Sequence, residues 1–88
     1  MVTARMKKSL HSKEQVELQE LLKTLRDDAG LTQAKLAAEL GKPQSFVAKY
    51  EVGERRLDVI ELIQVLQALK ESPAEFVARL VKAIKKSA

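Results

Sequence analysis

Gln44, Ser45 and Lys49, in the stretch GKPQSFVAKYE at residues 41–51, bring an amide, a hydroxyl and an ammonium group together. In a helix advancing about 100° per residue, these three and Ala48 turn one way while Phe46, Val47 and Tyr50 turn the other. A helix docked by that apolar back shows a partner a fixed array of donors, acceptors and one cation. This is the chemistry of recognition. Bond-breaking chemistry has little to draw on, because the chain has no cysteine and a single histidine, His11. Thiolate nucleophiles, disulfides and thiolate metal sites are thereby excluded, and no spacing in the sequence gathers carboxylates or imidazole into an acid–base pair or a metal site. The sequence predicts no enzyme, no metal site and no cofactor.

The elements that must hold this array are helical. Eighty-eight residues allow one core, and with two Phe, one Tyr and no Trp that core must be filled by Leu, Val, Ile and Ala. Ser12 with Gln15 three residues on has the form of a capping box, and Leu18, Leu21, Leu22, Leu25 and Ala29 recur at helical spacing as far as Gly30. Thr32 caps a second, short helix carrying Leu36, Ala37 and Leu40, which ends at Gly41. Only Gly41, Lys42 and Pro43 separate it from the third, so these two helices must cross steeply. VGERRL reads as a loop. Asp58 and Glu61 then open a fourth helix, over about 59–70, so apolar on every side that a central position is expected. Ser72, Pro73 and Glu75 supply the N-cap, first and third positions of a fifth, through Phe76, Val77, Leu80, Val81 and Ile84.

The net charge of +4 is unevenly spread. Residues 1–13, 32–56 and 76–88 are basic, and the two stretches between them are acidic. Such a basic centre is suited to face a polyanion. Residues 1–12, with Arg5, Lys7 and Lys8, show no periodicity and are expected to form a flexible basic arm able to follow a minor groove. Residues 13–88 form the folded domain. Neither a signal peptide nor an apolar run of membrane-spanning length is present, so a cytoplasmic protein without membrane contact is expected.

The segment TQAKLAAELGKPQSFVAKYEVGERR, residues 32–56, resembles the helix-turn-helix of the Cro and phage-repressor (XRE) family. The matching positions are Thr32 and Gln33 at the start, Ala37 where the two helices touch, Gly41 at the turn, Val47 in the core of the second helix, and Glu51 with Gly53 after it. Ala37 lets the two backbones approach, and glycine at 41 accepts the positive φ of a sharp helix end. The resemblance implies an all-α, compact, five-helix lambda-repressor-like domain that binds double-stranded DNA and regulates transcription. It also implies an ion pair between Arg26 and Glu51 that orients the recognition helix.

By the same resemblance the first turn and a half of the third helix enters the major groove. There Gln44 is suited to adenine, Ser45 can donate or accept, Ala48 can lie against a thymine methyl, and Lys49 can reach guanine or a phosphate. Thr32 and Gln33 at the start of the second helix, with Lys35, Lys42, Arg55 and Arg56, are the expected phosphate contacts, Gln33 also bracing Gln44. Two positions depart from the pattern. Pro43 stands where a Ser or Thr usually caps the recognition helix, a loss of about 1 kcal/mol partly offset by proline's preset φ, and Leu57 replaces a common proline.

Operator-binding relatives usually act in pairs on symmetric sites. Val77, Leu80, Val81 and Ile84 make a stripe broader than one small core needs, and with the end of the fourth helix they are the expected homodimer interface. The alternative is an adaptor that recognises another protein through the fifth helix. A prophage regulator, an antitoxin and a controller of a restriction–modification operon are equally compatible with the sequence.

Overall fold

Side-chain caps set where the helices begin. The computed structural model describes residues 12–87, in which five helices follow one another: α1 Lys13–Asp28, α2 Gln33–Leu40, α3 Gln44–Val52, α4 Val59–Ala68 and α5 Pro73–Ser87. Ser12 Oγ accepts from the Gln15 amide at 3.1 Å, and Ser72 Oγ from that of Glu75 at 3.2 Å. A full capping box forms at α4, where Asp58 and Glu61 each accept from the other's backbone amide. At Ser12 only the serine half is made. Each such cap is worth about 1 kcal/mol of helix stability. The remainder of the expected arm, residues 1–11, lies outside the described residues.

Gly41 ends α2 with φ 68°, a left-handed conformation that costs glycine nothing. In that turn the Lys42 amide donates back to the Ala37 carbonyl at 2.9 Å. α3 therefore starts almost at once and packs against α2, and Ala37 of α2 is sealed from solvent in the core. α1 packs on α3 and α5, and α4 on α2 and α5. The core between them is Leu22, Leu25, Leu36, Val47, Tyr50, Val65, Leu66, Leu69 and Phe76, with the edge of Phe46. Fully burying one such aliphatic side chain contributes about 1.5–3 kcal/mol.

One expectation is corrected. The fourth helix is not buried all round: Val65 and Leu66 are sealed, but Val59 and Ile60 at its start are 70% and 64% exposed. Its middle and end lie on α2 and α5, whereas its first turn reaches beyond the core. The broad stripe of α5 also divides. Phe76 is buried and Leu80 packs against the core, Ile84 is half-buried, and Val77 and Val81 remain exposed. A curved core takes one edge of a wide stripe and leaves the other in water.

Candidate nucleic-acid interface

α3 is fixed by its apolar side. Phe46, Val47, Tyr50 and Glu51 are buried, and the Phe46 and Tyr50 rings meet edge to face with centroids 5.6 Å apart. This leaves Gln44, Ser45 and Lys49 exposed on the other side, with Ala48 half-buried between. Pro43 occupies the N-cap position and provides no side-chain acceptor, so the first amides of α3 have no side-chain cap. The helix begins at Gln44, which places that amide at the tip of the element.

The far end of α3 is held by charge. Glu51 is almost wholly enclosed and accepts from Arg26 Nε at 2.6 Å, Arg26 Nη2 at 3.0 Å and Gln33 Nε2 at 2.9 Å. Arg26 Nη1 also donates to the Leu31 carbonyl at 2.8 Å. The hydrogen bonds to Glu51 hold the Arg26 guanidinium above its ordinary pKa, outweighing the opposing effect of burial. A bidentate pair of this kind fixes orientation more than it adds net stability. Gly53 then ends the helix with φ 86°, and a Cβ there would stand 2.8 Å from Gln19 Oε1. Gln19 in turn donates to the Glu51 carbonyl at 3.4 Å, a long contact that closes the last turn against α1.

Gln33 departs from the expected arrangement. Its side-chain amide reaches inward to Glu51, so the brace runs from the start of α2 to the end of α3 and not to Gln44. The carboxylate already gathered by Arg26 offers the stronger acceptor. Thr32 Oγ1 accepts from the Lys35 amide at 3.1 Å, Thr32 and Lys35 being exposed at the positive end of α2.

Arg55 also differs from a simple surface cation. It forms a two-pronged pair with Glu61, with Nη1 and Nη2 at 2.9 and 2.7 Å from Oε1 and Oε2, and its guanidinium carbon lies 4.8 Å from the centre of the Phe46 ring. The Lys42 ammonium stands 5.3 Å from the same centre. Hydrogen bonds from Arg55 and the Asp58 backbone hold the Glu61 carboxyl down at about 2. Arg56 is exposed. In the sequence Glu61 stands out only as a cap and Phe46 only as core. Their meeting with Arg55 depends on the path of an aperiodic loop, which no spacing announces.

Among the described residues no group of three or more His, Asp or Glu could hold a metal ion, and no helix is long and apolar enough to cross a membrane.

Residues 22–76 match the helix-turn-helix family. The XRE-family like protein from Pseudomonas syringae pv. tomato str. DC3000 is 41% identical, aligns over 89% of this chain and 95% of its own, and superposes with a TM-score of 0.79. The wild-type restriction–modification controller protein C.Esp1396I is 25% identical over 88% of this chain and all of its own, with a TM-score of 0.80. The same controller, as a tetramer in complex with its natural 35 base-pair operator, shares the fold at a TM-score of 0.74, with 24% identity over 82% of this chain and 95% of its own. No curated protein matches the chain in sequence. With the tight α2–α3 crossing and the buried back of α3 already described, these matches establish that the chain belongs to the XRE family of helix-turn-helix DNA-binding proteins.

Proposed function

We propose that the protein is a sequence-specific transcriptional repressor that binds double-stranded DNA as a homodimer and reads the major groove with the first turn and a half of α3. The observation that carries this reading is the two-ended fixation of α3: it is packed on its apolar side and gripped at Glu51, while Gln44, Ser45 and Lys49 stand in solvent. A rigid helix with polar groups on its free side suits a groove about 12 Å wide in which each base pair shows a distinct pattern. Gln44 is the principal base reader, with Ser45 and Lys49 beside it. Ala48, half-buried, offers a methyl to the groove floor. Thr32, Lys35, Lys42, Arg55 and Arg56, with the backbone amide of Gln33 at the start of α2, supply the phosphate contacts that set register and most of the affinity.

One such module reads few base pairs, so a second copy is needed for a specific site. α4 and α5 pack on each other, and each leaves β-branched side chains exposed: Val59 and Ile60 on one, Val77 and Val81 on the other. This is the proposed isologous contact, with Leu80 and Ile84 supporting it from the core side. The start of α4, and not its end, contributes.

Selection of bound fragments from random duplex DNA tests the reading. An inverted repeat with half-sites about one helical turn apart is expected. Gln44→Ala should relax discrimination at one base pair in each half-site by about 1–3 kcal/mol. No enrichment of any sequence at low salt would exclude the proposal.

A further inference from the structure

Arg55 lies in the loop between α3 and α4 and is restrained from several sides. Besides its pair with Glu61, its Nη1 donates to the Arg56 carbonyl at 2.8 Å. Its guanidinium lies over Phe46, two residues beyond Gln44 on α3. Glu61 is itself fixed, because Oε1 accepts from the Asp58 amide at 3.0 Å while Asp58 Oδ1 accepts from the Glu61 amide at 2.7 Å. A chain of contacts thus runs from the cap of α4 through Glu61 and Arg55 to the ring of α3.

The donor count shows what this leaves. Nη1 gives one hydrogen to Glu61 and one to Arg56, and Nη2 gives one to Glu61. Of the five guanidinium hydrogens, the Nε–H and one on Nη2 remain without an acceptor among the described residues. The Arg55 side chain is 40% exposed and that of Glu61 16%, so the guanidinium faces outward with the carboxylate behind it. Lys42 brings a second cation to the same ring.

We propose that Glu61 is a positioning residue for phosphate recognition: it holds Arg55 on Phe46 so that the remaining Nε–H and Nη2–H meet one backbone phosphate at the rim of the α3 interface. This rests on the DNA-binding reading above. Two effects of Glu61 oppose each other. Its charge disfavours a nearby phosphate, and its grip removes the rotamer freedom that a long side chain otherwise loses on binding. The guanidinium already neutralises the carboxylate at hydrogen-bond distance, so the repulsion felt outside the pair is small and screened within about 10 Å. The grip acts on every donor that remains. Positioning therefore wins, and removing a negative charge weakens binding to a polyanion.

Glu61→Gln keeps the shape and an acceptor for the Asp58 amide while removing the charge and half of the fork. Arg55→Lys keeps the cation, leaves the α4 cap untouched and removes the fork. Binding of each to a labelled duplex carrying the selected sequence is measured by anisotropy across a salt series, with Arg55→Ala and the Glu61→Gln/Arg55→Ala double variant alongside. Glu61→Gln and Arg55→Lys should each bind roughly tenfold more weakly than the unaltered chain. Arg55→Ala should lower the slope of log K against log salt by about 0.9, and the double variant should be no weaker than Arg55→Ala alone. Equal or tighter binding by Glu61→Gln, unchanged binding by Arg55→Lys, or additive losses in the double variant would overturn the role of Glu61 alone. An unaltered chain that binds no duplex at low salt would overturn the DNA-binding reading itself.

Discussion

Arg26 holds Glu51 through two nearly parallel hydrogen bonds, at 2.6 and 3.0 Å, across 25 positions of sequence. The pair ties the last turn of α1 to the last turn of α3, and Gln33 adds the start of α2 to the same carboxylate at 2.9 Å. Three helices are thereby referred to one buried group. The orientation of α3 depends on that group more than on any single apolar contact, because apolar packing is non-directional and a bidentate fork is not.

Removing one partner should cost far more than the pair contributes. Glu51→Ala leaves Arg26, 7% exposed, without its buried partner, and only the exposed Asp27 carboxylate remains beside it, at 3.4 Å. A loss of about 3–5 kcal/mol is expected, measured as a lower urea midpoint with an unchanged denaturant slope. A shift below about 1 kcal/mol would mean that water replaces the carboxylate freely.

Tyr50 should behave in the opposite way. Its hydroxyl is buried with no hydrogen-bond partner among the described residues, and burial, reinforced by the nearby Glu51 charge, pushes the phenol well above its ordinary pKa. Tyr50→Phe removes an unpaired polar atom and retains the ring against Phe46. Stability should stay level or rise by up to about 1 kcal/mol, read from thermal unfolding. A clear loss would reveal a partner for the hydroxyl.

Glu61 makes stability depend on acid. Its carboxyl titrates near 4.5 when unpaired and at about 2 in the folded chain, so the native state holds it ionised more strongly than the unfolded state does. The resulting stabilisation is fully present above pH 4.5 and is lost as pH falls from there towards about 2. Unfolding midpoints taken across this window should fall more steeply for the unaltered chain than for Glu61→Gln. Parallel curves would remove the Arg55–Glu61 pair as a contributor.

The proposed dimer contact can be broken without touching α3. Ile60→Lys places a charge on a side chain 64% exposed, so the fold of one copy should be unaffected. Sedimentation at micromolar concentration should show the unaltered chain heavier than 9.8 kDa and the variant near that mass. An unaltered chain that stays at 9.8 kDa throughout would reject the contact.

Much of this architecture is legible in residue order because its signals are local. Ser12, Thr32, Asp58 and Ser72 each act on an amide three residues away, and Gly41 ends α2 through its own φ, so the starts of those four helices and the tight turn follow from short spacings. The apolar side of α3 follows from periodicity in the same way. Periodicity is silent, however, on how much of an apolar surface finds a neighbour, which is why Val59 and Ile60 were expected inside and stand outside.

Residue order alone thus determined five helices, their junctions and the polar side of α3, since caps, glycine turns and a 3.6-residue repeat act over a few positions of chain. Which of those residues meet was decided only by the tertiary structure. Gln33 turns to Glu51, Arg55 settles between Glu61 and Phe46, and α5 divides between core and solvent. The physical reason is that a long polar side chain goes to the best acceptor within reach, and reach is set by helix crossings and loop paths that no local spacing records.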